Sequence, residues 1–260
     1  MAKNDLFLLD QVLAEGESLY GLQYDAGERF ELFSFDQILK DYDLSQDEIE
    51  SCWVDGPADG GIDGLFIFLD EQLLTDAPAA ESVRRNALLE VVVITCKHEA
   101  SFRLAATNNL GAAATELFDL SKDTDELKGE YNDELREQRE LLSNVVKVTA
   151  SKHPSITIRY VYASRGDSGS IGTEVAAAAN RLLEATRALF HNVTTSFDFT
   201  GAGELLELHR RQRTYSLPLT FVESFIARSK DNCIVLARVS DFYRFIVDDA
   251  GNLRRYLFES

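Results

Sequence analysis

The sequence predicts an α/β protein, a mixed β-sheet flanked by helices and followed by a small α+β unit. Three observations carry that expectation. The apolar segments read as helix, three strands, helix, strand, helix, strand, an alternation that buries a sheet between helical layers. Leu88–Lys97 is almost unbroken in β-branched and aliphatic residues, which marks a central strand covered on both faces. Beyond Gly201 the pattern changes to short segments, so the reading divides the chain into a main domain over 1–200 and the start of a second unit over 201–260.

In chain order, Phe30, Phe33, Ile38 and Leu39 recur at helical spacing within Arg29–Asp41, and Asp43-Leu44-Ser45 closes that helix. Ile49–Val54 reads as a short strand, Gly56–Gly61 as a turn and Leu65–Asp70 as a strand, while Thr75–Arg85, polar and holding Pro78, reads as a loop. After the strand at Leu88–Lys97, Phe102–Leu120 reads as a helix and Asp125–Ala150 as a longer amphipathic one. Ile156–Ala163 alternates as a strand, Ile171–Phe190 is an alanine-rich helix, and Thr194–Phe199 is another strand. In the second unit, Leu205–Arg211 looks helical, and Leu217–Ala227 and Cys233–Val239 look like strands.

At 260 residues the chain can bury a sizeable core. Met1–Tyr20 lacks the uninterrupted apolar stretch of a signal peptide and no segment is long enough to span a membrane, so a cytoplasmic protein is expected. Three widely spaced cysteines, with no Cys-x-x-Cys pair, argue against a disulfide framework or a zinc site. The formal net charge of −18 weighs against a simple nucleic-acid binder, because phosphate contacts come from Lys and Arg. Much of the acidity lies in Asp119–Glu140, read as the solvated face of helices. His209-Arg210-Arg211-Gln212-Arg213 and Arg254-Arg255 are the candidate basic patches.

The chemistry-bearing pattern is Asp59-Gly60-Gly61-Ile62-Asp63-Gly64, which opens one apolar strand, together with Lys97 at the end of the next. Metal-assisted phosphodiester hydrolysis needs acidic oxygens to hold the ion and a cation or base near the attacking water. Strand alternation puts Val93, Thr95 and Lys97 on one face and Glu90, Val92, Ile94 and Cys96 on the other, so Glu90 is not expected beside Lys97. The glycines at 60, 61 and 64 are expected to allow a tight turn next to Asp63. Spacing excludes an EF-hand and a Walker loop, and His98, His153, His191 and His209 are scattered singly.

These segments resemble the restriction-endonuclease-like nucleases of the PD-(D/E)xK type, and more narrowly the amino-terminal part of the abortive-infection phage-resistance (AIPR) proteins. The resemblance rests on FELFSFDQILKDYDLSQDEIES at Phe30–Ser51, DGGIDGLFIF at Asp59–Phe68 and VVVITCK at Val91–Lys97, with SRGD, ARSK and LRRYLFES further on. It implies a restriction-endonuclease-like sheet and a Mg²⁺- or Mn²⁺-dependent endonuclease acting on DNA, or on RNA, in phage defence. Asp63 is then the metal-holding aspartate, Lys97 the catalytic lysine and Glu31 the helix-borne glutamate that completes the shell. The position two before the lysine, acidic or glutamine in the family, is Thr95 here, which would offer the ion its backbone carbonyl. Glu99 shares the parity of Lys97 and is a further candidate. The rival reading is a nuclease fold that no longer cleaves and serves nucleic-acid binding or protein association. A third is a homodimeric scaffold with its interface on the helices between Phe102 and Ala150.

Overall fold

A computed structural model describes residues 2–15, 23–80, 85–211, 219–226 and 233–247. Eight helices and seven strands run through these residues: α1 (Asp5–Glu15), α2 (Ala26–Ile38), α3 (Gln46–Ser51), β1 (Gly64–Leu69), β2 (Gln72–Leu73), β3 (Leu88–Lys97), α4 (Leu104–Leu117), α5 (Asp133–Thr149), β4 (Ser155–Ser164), α6 (Thr173–Leu189), β5 (Val193–Thr200), α7 (Ala202–Arg210), β6 (Glu223–Ile226), β7 (Cys233–Leu236) and α8 (Val239–Ile246). Five strands form one mixed sheet in the order β2-β1-β3-β4-β5. The β1–β3 pair is antiparallel, with Phe66 opposite Val92. The β3–β4 and β4–β5 pairs are parallel, each joined by a helical crossover as parallel pairing requires.

Alternation along β3 divides the core. Leu89, Val91 and Val93 pack with Leu110 and Ala114 of α4, Leu135 and Leu142 of α5 and Leu182 of α6. Val92, Ile94 and Cys96 point the other way, into Leu9 of α1, Phe30 and Phe35 of α2 and Leu205 of α7. The chain is therefore an α/β protein whose central strand is covered on both sides, as its composition predicts.

Local chemistry explains where the elements begin. Asp25 caps α2, its carboxylate accepting from Gly27 and Glu28 while the Glu28 side chain reaches back to the Asp25 N–H, a capping box. Ser45 and Glu48 repeat the device at α3, which is why Gln46–Ser51 is helical where a strand over Ile49–Val54 is expected; only Trp53 keeps strand character, as an isolated antiparallel bridge to Gly64. The amphipathic helix predicted from Asp125 starts instead at Asp133, where the Asn132 side chain accepts from the Leu135 N–H. Asp119–Asn132 ahead of it is a loop with one 3₁₀ turn at Thr124–Glu126. The helix α1, which the periodicity missed, buries Leu9 alone.

The chain divides by its own contacts into Met1–Gln212 and Arg213–Ser260. Helix α7 lies in the first unit, its Leu205 and Leu206 buried with α1 and α2, so the expected boundary at 200 moves past it. In the second unit β6 and β7 form an antiparallel pair followed by α8. The segments ARSK and LRRYLFES, together with Gln212, Arg213, Arg254 and Arg255, lie outside the described residues.

Candidate metal and catalytic site

The site forms at the carboxyl end of β3, where three elements meet. Gly60 and Gly61 both have left-handed backbone, φ 64° and 79°, and a Cβ on Gly60 would stand 2.6 Å from the Ala113 Cβ. Glycine is required there by both conformation and space. The Asp59 carboxylate braces the turn by accepting from the Gly61 N–H at 2.6 Å. Gly64 has no such backbone. Its missing side chain instead makes room for Phe66 and Phe35, which would lie 2.8 and 3.0 Å from a Cβ.

This turn delivers Asp63 to the end of the neighbouring strand. Its own N–H donates to the Ile94 carbonyl at 2.9 Å, and its carboxylate accepts from the Cys96 backbone N–H. The Lys97 Nζ lies 3.2 Å from Asp63 Oδ1 and 3.3 Å from Oδ2. Thr95 meets Asp63 through its hydroxyl, which donates to Oδ2 at 3.3 Å. Asp63 and Thr95 are wholly buried, whereas the Lys97 side chain is about one-third exposed and so faces the outside from the rim.

Glu31 enters from α2. It is 8% exposed, and one of its oxygens accepts from the Trp53 indole N–H at 2.7 Å. Oxygens of Glu31, Asp63 and Asp55 lie within 4.8 Å of one another. Burial, followed by the charges of Asp63 and Asp55, raises the Glu31 carboxyl far above its ordinary range. Burial also raises Asp63, against the opposing pull of Lys97 and the Cys96 N–H. For Lys97, desolvation would lower the ammonium, but the Asp63 charge and hydrogen bond outweigh it and the net shift is upward.

Among the described residues, Lys97 is the ammonium that acts on Asp63, Asp59 and Glu31, with Asp55 the further carboxylate of the cluster. A hard divalent cation takes oxygen ligands of this kind, and its charge would offset a repulsion that Lys97 alone leaves uncompensated. The all-oxygen donor set of Glu31, Asp55 and Asp63 could hold such a metal ion.

Comparison with protein-family models, with curated proteins and with solved structures finds no match to this chain. The site accordingly rests on its own geometry.

Of the residues singled out from sequence, the structure brings Asp63, Lys97, Thr95 and Glu31 together. Glu99 is elsewhere, ion-paired with Arg103, and Glu90 accepts from the Tyr42 hydroxyl at 2.8 Å. His98 lies beside Arg165, its Nε2 3.1 Å from the guanidinium, and His209 packs on Phe33. Cys96 is core. The Arg211 guanidinium pairs with Asp41 at 2.8 Å, so that part of the basic patch is already engaged. Sequence reasoning missed Asp55 and Trp53. Trp53 was read only within the strand expected over Ile49–Val54, and Asp55 only through its spacing of four from Asp59, which excludes an EF-hand.

Proposed function

We propose that the first unit is a divalent-metal-dependent endonuclease domain of restriction-endonuclease-like type, acting on DNA as the likeness to AIPR phage-defence proteins suggests. The observation that carries the reading is the convergence of Glu31 from a helix, Asp63 from a strand-opening turn and Lys97 from a strand end on one point at the carboxyl end of β3. Three acidic or basic groups distant in sequence meet there, with two of the carboxylates buried. Folding stability alone gives no reason for that arrangement, because each buried charge carries a desolvation cost.

Glu31 and Asp63 would hold Mg²⁺ or Mn²⁺, which when bound supplies Lewis acidity toward a phosphate oxygen and acidifies a water. The Thr95 hydroxyl and the Cys96 N–H fix the Asp63 carboxylate in one orientation. Lys97, reaching the rim, orients the attacking water and offsets charge that develops on the phosphoryl oxygens. No helix of the described residues is long and apolar enough to cross a membrane, and the cytoplasmic setting expected from sequence belongs to this proposal.

One observation favours a second reading. Lys97 is closed onto Asp63 as an ion pair and position 95 offers a neutral hydroxyl, an arrangement that also suits a domain retained for nucleic-acid binding or protein association. The deciding experiment is nicking of supercoiled and linear DNA, with RNA alongside, in Mg²⁺ and then Mn²⁺, comparing the native chain with Asp63→Ala and Lys97→Ala. Metal-dependent cutting abolished by both substitutions supports the nuclease. Absence of cutting by the native chain and by Thr95→Glu supports the second reading.

A further inference from the structure

A cavity of about 300 Å³ lies between α5 and the 3₁₀ turn of the loop ahead of it, and it shares no residue with the site at the end of β3. Every residue that lines it is polar or charged. Three are cations, Lys122, Arg139 and Lys147, and three are carboxylates, Asp123, Asp125 and Glu140. Arg139 crosses the cleft. It arises from α5, and its guanidinium donates to the Asp119 carbonyl at 3.2 Å, the Lys122 carbonyl at 2.6 Å and the Thr124 hydroxyl at 2.9 Å. All three acceptors are neutral. Among the described residues the Arg139 Nε–H meets no acceptor, and no carboxylate pairs with the guanidinium. Of the three lining cations only Lys122 has an ion pair there, with Asp119 at 2.7 Å.

A guanidinium that is 2% exposed and lacks a counter-ion is costly to hold. An anionic group entering the cavity would supply both the missing charge and a further acceptor. The walls limit what can carry that group. With no apolar lining residue they offer little to an apolar ligand, and Asp123, Asp125 and Glu140 repel a polyanion such as a nucleic-acid strand. The same carboxylates suit an ammonium, which gives them charge-assisted hydrogen bonds. The volume lies at the small end of ligand sites. We propose that this cavity binds a small zwitterion of the amino-acid type, its carboxylate taken by Arg139 and Lys147 and its ammonium by Asp125 and Glu140. The ligand would then bridge α5 and the loop at Asp119–Asn132, alongside the three hydrogen bonds of Arg139. This site stands independently of the nuclease reading.

The test is thermal unfolding of the full chain with each proteinogenic L-amino acid in turn, followed by isothermal titration of those that raise the midpoint. At least one should bind. Its N-acetyl and carboxamide derivatives, which lack the ammonium and the carboxylate charge respectively, should each bind about tenfold or more weakly. Lys147→Ala, at an exposed position, should weaken binding by about tenfold. Asn144 is also exposed and lines the cavity, so Asn144→Tyr should fill the space and abolish binding while the midpoint without ligand stays close to that of the native chain. Failure of every amino acid to bind the native chain would overturn the proposal. Binding that survives Asn144→Tyr would place the ligand elsewhere and overturn it as well. Inorganic phosphate binding as tightly as the amino acid would reduce the cavity to a simple anion pocket and overturn the zwitterion.

Discussion

Replacing Glu31 by glutamine should stabilise the metal-free protein at neutral and alkaline pH. The change preserves shape and keeps an acceptor for the Trp53 indole N–H. Burial, followed by the charges of Asp63 and Asp55, pushes the Glu31 carboxyl up to about 9 from an ordinary 4.5. A carboxyl raised in this way binds its proton more tightly in the native than in the unfolded chain. Its contribution is full below the unfolded value and is lost as pH climbs toward the folded one. Each unit of that interval is worth about 1.4 kcal/mol, so at roughly pH 7.5 the penalty is at most about 4 kcal/mol. Glu31 and Asp63 share one site and do not titrate independently, so about half of that, ~2 kcal/mol, is the expected gain. The assay is urea unfolding in EDTA near pH 5 and near pH 8, followed by fluorescence of Trp53, the single tryptophan of the chain. Native protein should lose stability between the two conditions, whereas Glu31→Gln should change less and unfold at higher urea near pH 8. Saturating Mn²⁺ should reverse the order, since an ion bound to the native state stabilises it in proportion to its affinity. A Glu31→Gln chain less stable than the native one near pH 8 in EDTA would refute the reasoning, because the ionised carboxylate would then be a net support of the metal-free fold.

Gly64→Ala should cost about 1–3 kcal/mol by overpacking, since its Cβ would stand 2.8 Å from Phe66 and 3.0 Å from Phe35; thermal unfolding tests this, and an unchanged midpoint would show that the rings have room to shift. Arg139 is 2% exposed and donates to the Thr124 hydroxyl at 2.9 Å and the Lys122 carbonyl at 2.6 Å, so Arg139→Leu should lose about 2–3 kcal/mol in urea unfolding through acceptors left unpaired. Protease resistance of the loop at Asp119–Asn132 should fall with it, and a loop that stays resistant would show that Arg139 does not pin it. Tyr160→Phe removes a buried hydroxyl contact of 2.7 Å with Thr186, which keeps its bond to the Leu182 carbonyl at 2.9 Å. The expected cost is about 1 kcal/mol, and a loss several times larger in the same urea assay would contradict the compensation.

The strands that form the sheet were legible because their patterns are strong. Leu88–Lys97 is a strand over those same residues, and the segments at Ile156–Ala163 and Thr194–Phe199 are each one residue longer at both ends. Capping decided what periodicity missed. Ser45 with Glu48 drew Gln46–Ser51 into a helix, and Asn132 delayed α5 to Asp133. The acidic stretch at Asp119–Glu140 was read as solvated helix, yet it contains Arg139, buried because nearby carbonyls and a hydroxyl surround its guanidinium.

By itself the sequence determined the sheet, through runs whose hydrophobicity demands burial on two faces, and the parity of β3, which is a property of extended backbone. It also marked Asp63 and Lys97, because a glycine turn opening one strand and a lysine ending the next are local signals. Only the tertiary structure brought Glu31, which the resemblance implied, next to Asp63, turned the Thr95 hydroxyl onto Asp63, and placed Trp53 and Asp55 beside them. The reason is that these residues converge through chain crossings. A helix, a turn and an edge segment meet where β3 stops, and the spacing of residues along a chain carries no record of which parts will lie together in space.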